Sequence, residues 1–371
     1  MPSDRFDALT RTPYHLWCLS MQALVIALLA VFQVVGPNGT DHAVQAASAG
    51  QARLDEALRR EGDILASMAD AAIAGRGEAE FALTWTNDFF KAQPGTFVPF
   101  TLSFAAPELS SRAALLYVRV ERPGTNTRGA VREVPLYETI FPVRLGARSG
   151  EPVTLTRGFA VPPGRYRVAV VLREAPETAL TPMAHRKAGT LVMDLQVPDF
   201  WTSELAVSTV MLADRVELLR EPILAEELDE HPYVVGSHRI HRAQTAVFAR
   251  NRELVAVFLI YNPAVGSDKH FDVQVDYHVF RKDQGGILGT RPSEVRGARP
   301  GERYVTRTNS QRFNPSMMGS RFDPGAGTPI LAGQGILLSS FEPGDYRLEI
   351  TVTDLLSRKS LLRDVVFAVG S

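Results

Sequence analysis

His231, His238 and His241, with Asp229 and Glu230 beside them, are the residues whose types best suit a metal ion. Zinc takes imidazole and carboxylate ligands, but they must converge on one point. If 237–242 is a strand, His238 and His241 point to opposite faces, because side chains alternate. A zinc site would need a turn there, so these histidines read as surface residues. His270 and His278 have the even spacing of one strand face, yet that separation spans ~26 Å along a strand, too far for one ion. Glu221, Glu226, Glu227, Asp229 and Glu230 form an acidic run without the loop spacing of a dedicated calcium site. A solvated face is the expectation. Arg296, Arg299, Arg303, Arg307 and Arg312 form a basic stretch in which Arg303, Val305 and Arg307 would share one strand face, with Tyr304 opposite. Such a face either meets an anionic glycan or lipid headgroup or is a charged edge that deters strand-to-strand aggregation.

Covalent chemistry has no foothold in the motifs. The chain has no nucleophile elbow, P-loop, dinucleotide fingerprint or His-Glu-x-x-His. No residue is assigned a catalytic, cofactor-binding or metal-binding role, and no cofactor is expected. The expectation is a non-enzymatic binding or scaffold protein; the alternative is a hydrolase or enzyme accessory subunit with a dispersed site, since fold alone does not exclude one.

The elements that must position any site carry a long internal repeat. Pro163-Gly164-Arg165-Tyr166 leads into an alternating apolar run, and Pro343-Gly344-Asp345-Tyr346 does the same 180 positions later. A long period fixes the architecture. Here it predicts two tandem immunoglobulin-like β-sandwiches, a mainly β protein. In a sandwich, a Tyr at the start of a late strand tucks under the corner and its hydroxyl bonds backbone upstream. Tyr166 and Tyr346 are placed for that role. Strands are predicted at 97–104, 115–120, 153–159, 166–172 and 191–197, and again at 205–211, 244–248, 254–261, 271–280, 303–308, 346–352 and 361–369. The segment 97–104 corresponds to 254–261, and 115–120 to 271–277. Two stretches resist: 215–232 reads as an acidic helix or loop. The stretch 309–335, rich in Gly, Pro, Ser and Met, reads as a long loop, functional or folded on its own domain. Its Phe313, Met317, Met318 and Phe322 make it the expected binding element if it is functional.

Length and composition agree with this. The 371 residues suggest about two domains, and 45% hydrophobic with 22% charged residues suffices for ordinary cores. A net charge of -1 gives no broad reason to expect nucleic acid. The only cysteine is Cys18, so the body has no disulfide; sandwich cores of this size do without one.

Leu16 to Gly36 is almost purely apolar and long enough to span a bilayer. Ala43-Val44-Gln45-Ala46-Ala47 follows as a cleavage context. A signal peptide, a membrane anchor and a buried core helix are all compatible with it. The two membrane readings place the body outside the cytoplasm, periplasmic or secreted, with membrane contact through this segment. From 46 to 75, Leu54, Leu58, Ile64, Leu65, Met68 and Ile73 recur at helical spacing. This amphipathic helix either packs on its own domain or acts as a spacer or self-association helix near the membrane. The predicted boundaries are 1–46 signal or anchor, 47–78 helical spacer, 79–198 first sandwich and 199–371 second sandwich, meeting near Pro198-Asp199-Phe200-Trp201.

Trp85 to Gln93, then Val98-Pro99-Phe100-Thr101-Leu102, Gln196 to Phe200, Leu205 to Ser208 and Pro343 to Arg347 carry a resemblance. Together they resemble the region after the von Willebrand factor A-type domain in a family of bacterial secreted proteins. The resemblance covers roughly residues 80 to 371 and implies an extracytoplasmic β-rich protein with no known activity. The Asp-x-Ser-x-Ser adhesion motif of the A-type domain is absent, so metal-dependent adhesion does not carry over. Partners are expected among other envelope proteins or glycans.

Overall fold

The computed structural model describes residues 59–93, 95–105, 109–123, 134–146, 152–176, 185–221, 223, 230–282, 297–319 and 322–370. The apolar segment 16–36, Cys18, the cleavage context at 43–47 and most of the acidic run lie outside them. Among the described residues no helix is long and apolar enough to cross a membrane. Residues Ile64–Ser371 cluster as one compact unit.

Residues 64–73 are helical (α1). The next eight strands are β1 (Thr84–Asn87), β2 (Phe90–Ala92), β3 (Gly95–Phe104), β4 (Ala113–Glu121), β5 (Tyr137–Arg144), β6 (Val153–Val161), β7 (Gly164–Ala175) and β8 (Ala188–Val197). Then follow β9 (Ala206–Val207), β10 (Met211–Leu218), β11 (Val234–Val235), β12 (His238–Arg242), β13 (Val247–Phe248), β14 (Glu253–Tyr261), β15 (Val273–Lys282) and β16 (Glu302–Arg307). The last elements are β17 (Gln311–Phe313), a helical turn α2 (Pro315–Met318), β18 (Ile330–Leu337), β19 (Gly344–Asp354) and β20 (Lys359–Val369).

The described residues are mainly β, in four sheets, and the pairing repeats. In one sheet β3 lies between β1 and β6; in another β14 lies between β10 and β18. The order β5-β4-β7-β8 is matched by β16-β15-β19-β20. Pairs are antiparallel except β13 with β20. Buried residues from the first two kinds of sheet meet in one core: Phe100 and Leu102 from β3, Leu116 and Val118 from β4, Val168 and Val170 from β7. The second core repeats this with Phe258 and Ile260 of β14, Val275 and Tyr277 of β15, and Leu348 and Ile350 of β19. The central strands β4, β7, β14 and β19 are buried in continuous runs; alternate residues enter these cores, and the outer faces of β4, β7 and β14 are covered as well.

The repeated turn shows why it is repeated. Gly164 and Gly344 open β7 and β19 at φ 150 and 149, a conformation open essentially to glycine. Two residues later each Tyr is buried, and its hydroxyl donates to the carbonyl four residues upstream. Tyr166 bonds Pro162 O at 2.8 Å and Tyr346 bonds Glu342 O at 2.6 Å. The corner is thereby tied to the strand that follows it.

Several expectations need correction. Residues 215–218 belong to β10, not to a helix, and pair with β12 at Val216↔Ile240 and Glu217↔Arg239; the charged composition hid the end of a strand that lies between β12 and β14. The stretch 309–335 is not a long loop. It holds β17, α2, a short turn at Pro324–Ala326 and most of β18, whose alternation Gly333 and Gly335 interrupt. Phe313, Met318 and Phe322 pack on the second core, leaving Met317 exposed, so the loop folds on its own half. β15 begins at Val273, so His270 precedes the strand and does not share a face with His278. Helix α1 packs on the outer face of the β4–β7 sheet, with Leu65 and Ala69 buried against Tyr117, Ala169 and Val171. Removing Leu65 from water contributes about 2 kcal/mol.

Candidate functional site

The two repeats meet at a seam with its own apolar cluster. Phe89, Phe90 and Phe97 from the first repeat pack with Met211, Tyr233, Val257 and Tyr261 from the second. Phe90 meets Tyr233 edge-on, with ring centroids 6.2 Å apart. Asp88 is fully buried between them. Its Oδ2 accepts from the Tyr233 hydroxyl at 2.7 Å and from Arg242 Nε at 2.8 Å. Oδ1 has no hydrogen-bond partner among the described residues. Burial pushes the Asp88 carboxyl above its ordinary value, against the opposing pull of Arg242 and Tyr233. Phe89 N donates to Thr209 Oγ1 at 3.0 Å and Lys91 N to the Tyr261 hydroxyl at 3.1 Å.

The linking segment after β8 builds a cleft on this seam. Asp199 Oδ1 accepts from Trp201 N at 2.8 Å, and the indole Nε1 donates to Gly95 O at 2.7 Å and Ala92 O at 3.0 Å. The ring is thus fixed in place while 45% exposed. Lys91 Nζ lies 4.6 Å from the centre of that ring and donates to Asn262 Oδ1 at 2.7 Å. Asn262 adopts φ 55, a left-handed conformation that asparagine tolerates. Its Nδ2 is anchored by Phe200 O at 3.0 Å and Glu204 O at 3.1 Å. Partial burial lowers the Lys91 ammonium below its ordinary value, with Asp199 opposing the shift. A cleft of about 360 Å³ opens here, with Thr202, Ser203 and the 324–327 turn completing its wall. A second depression of about 330 Å³ shares Trp201 and Asp199 and adds Gln93, Gly95 and Pro163. Both volumes fall in the range of small-ligand sites.

The residues singled out by type lie elsewhere. His238 and His241 sit on β12, a strand, and His241 Nε2 pairs with Glu217 at 2.8 Å. Among the described residues no group of three or more candidate metal ligands converges. Arg303, Val305 and Arg307 do share the exposed face of β16. Their neighbours are consumed in ion pairs: Arg299 with Asp364, Arg312 with Asp272. The opposite face of that sheet, which carries Phe280 and Tyr304, buries Arg347; it takes Glu302 through Nε at 2.8 Å and Nη2 at 2.7 Å, with Glu349 and Asp364 each 2.7 Å from Nη1. Arg296 lies outside the described residues.

Sequence reasoning missed Lys91, Asn262 and the cleft itself. Lys91 lies within the segment Trp85 to Gln93, and Trp201 directly follows Gln196 to Phe200, but neither residue stands in a motif that names a chemistry. No protein-family model matches this chain, and no curated protein matches it.

Proposed function

We propose that this protein is a non-enzymatic binding protein of the bacterial envelope. In this reading, 79–198 and 199–371 are two immunoglobulin-like β-sandwiches locked along a seam, and the Trp201 cleft is their ligand-facing site. The repeated strand order and paired tyrosine corners support the sandwich assignment. The apolar segment 16–36 supports placement outside the cytoplasm, as signal peptide or anchor, and the resemblance to secreted β-rich proteins belongs with it. One observation carries the binding assignment: an exposed indole is held in place by two backbone carbonyls at the mouth of a cleft on the seam between the two repeats. Clefts between domains are preferred ligand sites, and an immobilised aromatic loses little freedom on binding.

A photo-reactive residue placed at Thr202 in full-length protein in living cells tests this. A discrete envelope adduct is expected from that position and not from Val247, an exposed residue of β13. Equal labelling from both positions would refute the cleft. Protease added to spheroplasts should digest the β region; full-length soluble protein recovered from cytosol would refute the compartment.

A further inference from the structure

We propose that the seam cleft binds an acidic sugar residue of an envelope polysaccharide, with Lys91 taking its carboxylate and Trp201 stacking on the apolar face of its ring. This inference rests on the binding reading above and names the ligand class. It starts from what Lys91 lacks. Lys269 and Lys359 each hold a carboxylate, at 2.9 Å from Asp323 and 2.5 Å from Glu204. Lys91 holds a neutral amide and a ring face; Asp199 is near enough to favour its charge, but among the described residues Lys91 forms no ion pair. An ammonium carries three donors, and Asn262 takes one. Among the described residues nothing else accepts from it, and the anchoring of Asn262 by two carbonyls holds the amide that positions the ammonium. The partial burial that lowers the Lys91 proton affinity also strengthens any charge pair formed there.

The rest of the cleft selects a sugar among anions. Lys91 lies over one face of the Trp201 ring, 4.6 Å from its centre, and the indole, 45% exposed, keeps apolar surface open to a ligand next to that contact. A uronic acid is matched to this pair, because one ring carries both a carboxylate and a face of C–H groups. Thr202 and Ser203 offer hydroxyls to the sugar hydroxyls, and Gly325 and Gly327 let backbone approach closely. The turn that carries those glycines is held by Asp323, which accepts from Ala326 N at 3.2 Å and pairs with Lys269. The wall is therefore formed before the ligand arrives, which spares the ordering cost of binding. A cleft of about 360 Å³ suits a short saccharide rather than a folded protein surface.

Calorimetric titration of the full-length protein with tri-galacturonic acid and with neutral galactotriose reads the assignment directly. The acidic trisaccharide should bind at least tenfold more tightly than the neutral one. Lys91→Met should erase that difference, and Lys91→Arg should restore part of it. Trp201→Ala should abolish binding of both, with circular dichroism and melting temperature confirming that each variant is folded. Equal affinity for the two sugars, or an acidic preference that survives Lys91→Met, overturns the inference. If neither sugar binds while the Thr202 cross-link to an envelope component persists, the ligand class is wrong and the binding reading stands. If both fail, both fall.

Discussion

Tyr166 and Tyr346 do the same work in two places. Each hydroxyl bond closes a corner that otherwise rests on apolar packing. Replacing either with Phe removes one hydrogen bond at unchanged ring packing and should cost about 1 kcal/mol. The two losses should add, because the corners lie in separate cores. Urea denaturation of the single and double variants measures this; no change in either variant would mean that the corner bonds are dispensable. Asp88 behaves differently. Its folded pKa lies above its unfolded value because burial disfavours the charge. Its contribution to stability is therefore fully present below the unfolded pKa of ~4 and is lost as pH rises through the raised folded value. Asp88→Asn should remove that slope, so melting temperatures of variant and parent should converge or cross as pH rises from 4. Parallel melting curves at every pH would show that Arg242 compensates the burial completely. The tyrosines were legible in the sequence because a turn motif announced them twice. Asp88 was not, since a lone acid beside two phenylalanines carries no sign of being buried by a segment 145 residues away.

Strands and turns were legible where alternation was uninterrupted. The runs 97–104, 115–120, 166–172, 254–261 and 346–352 fall within β3, β4, β7, β14 and β19. What escaped was short or broken by small residues: β1 and β2, with four and three residues, β5 with its Pro142, and β18 with its two glycines. Such strands exist because a neighbour completes them, and no local pattern reports a neighbour. Glycines at positive φ sort by what surrounds them. Gly95 and Gly344 both sit at φ 149. A Cβ at Gly95 would lie 2.5 Å from Val161 O, a backbone atom, whereas at Gly344 it would meet the movable Arg281 side chain at 3.2 Å. Gly344→Ala should cost roughly 1–3 kcal/mol from backbone strain alone. Gly95→Ala should cost more, since β3 and the end of β6 must separate. Thermal denaturation ranks the two, and equal melting temperatures would refute the steric part.

At the scale of the molecule, the repeat and the seam pull in different directions. The repeat gives each half its own core, which favours independent folding. The seam buries Phe89, Phe90 and Phe97 against Met211, Val257 and Tyr261, so neither half has a fully polar surface alone. A fragment starting at Asp199 should keep a β-type circular-dichroism spectrum but expose this patch. It should bind a hydrophobic dye and self-associate on size exclusion where the full-length protein does not. A monomeric fragment with no dye binding would show that the seam is incidental. This juxtaposition also explains why the candidate site was the least legible feature. The chain shows two similar halves, but the cleft depends on how unlike parts of them are set side by side.

The seam also imposes an order in time. Its partners are far apart along the chain: Asp88 and Arg242 are separated by 154 residues, Lys91 and Tyr261 by 170. A chain synthesised from its N-terminus presents the aromatic patch of the first half well before the surface that covers it exists. At ribosomal rates the delay is on the order of ten seconds. For that interval the nascent protein carries an adhesive face with no mate, and a chaperone holding it must let go before the cleft can form.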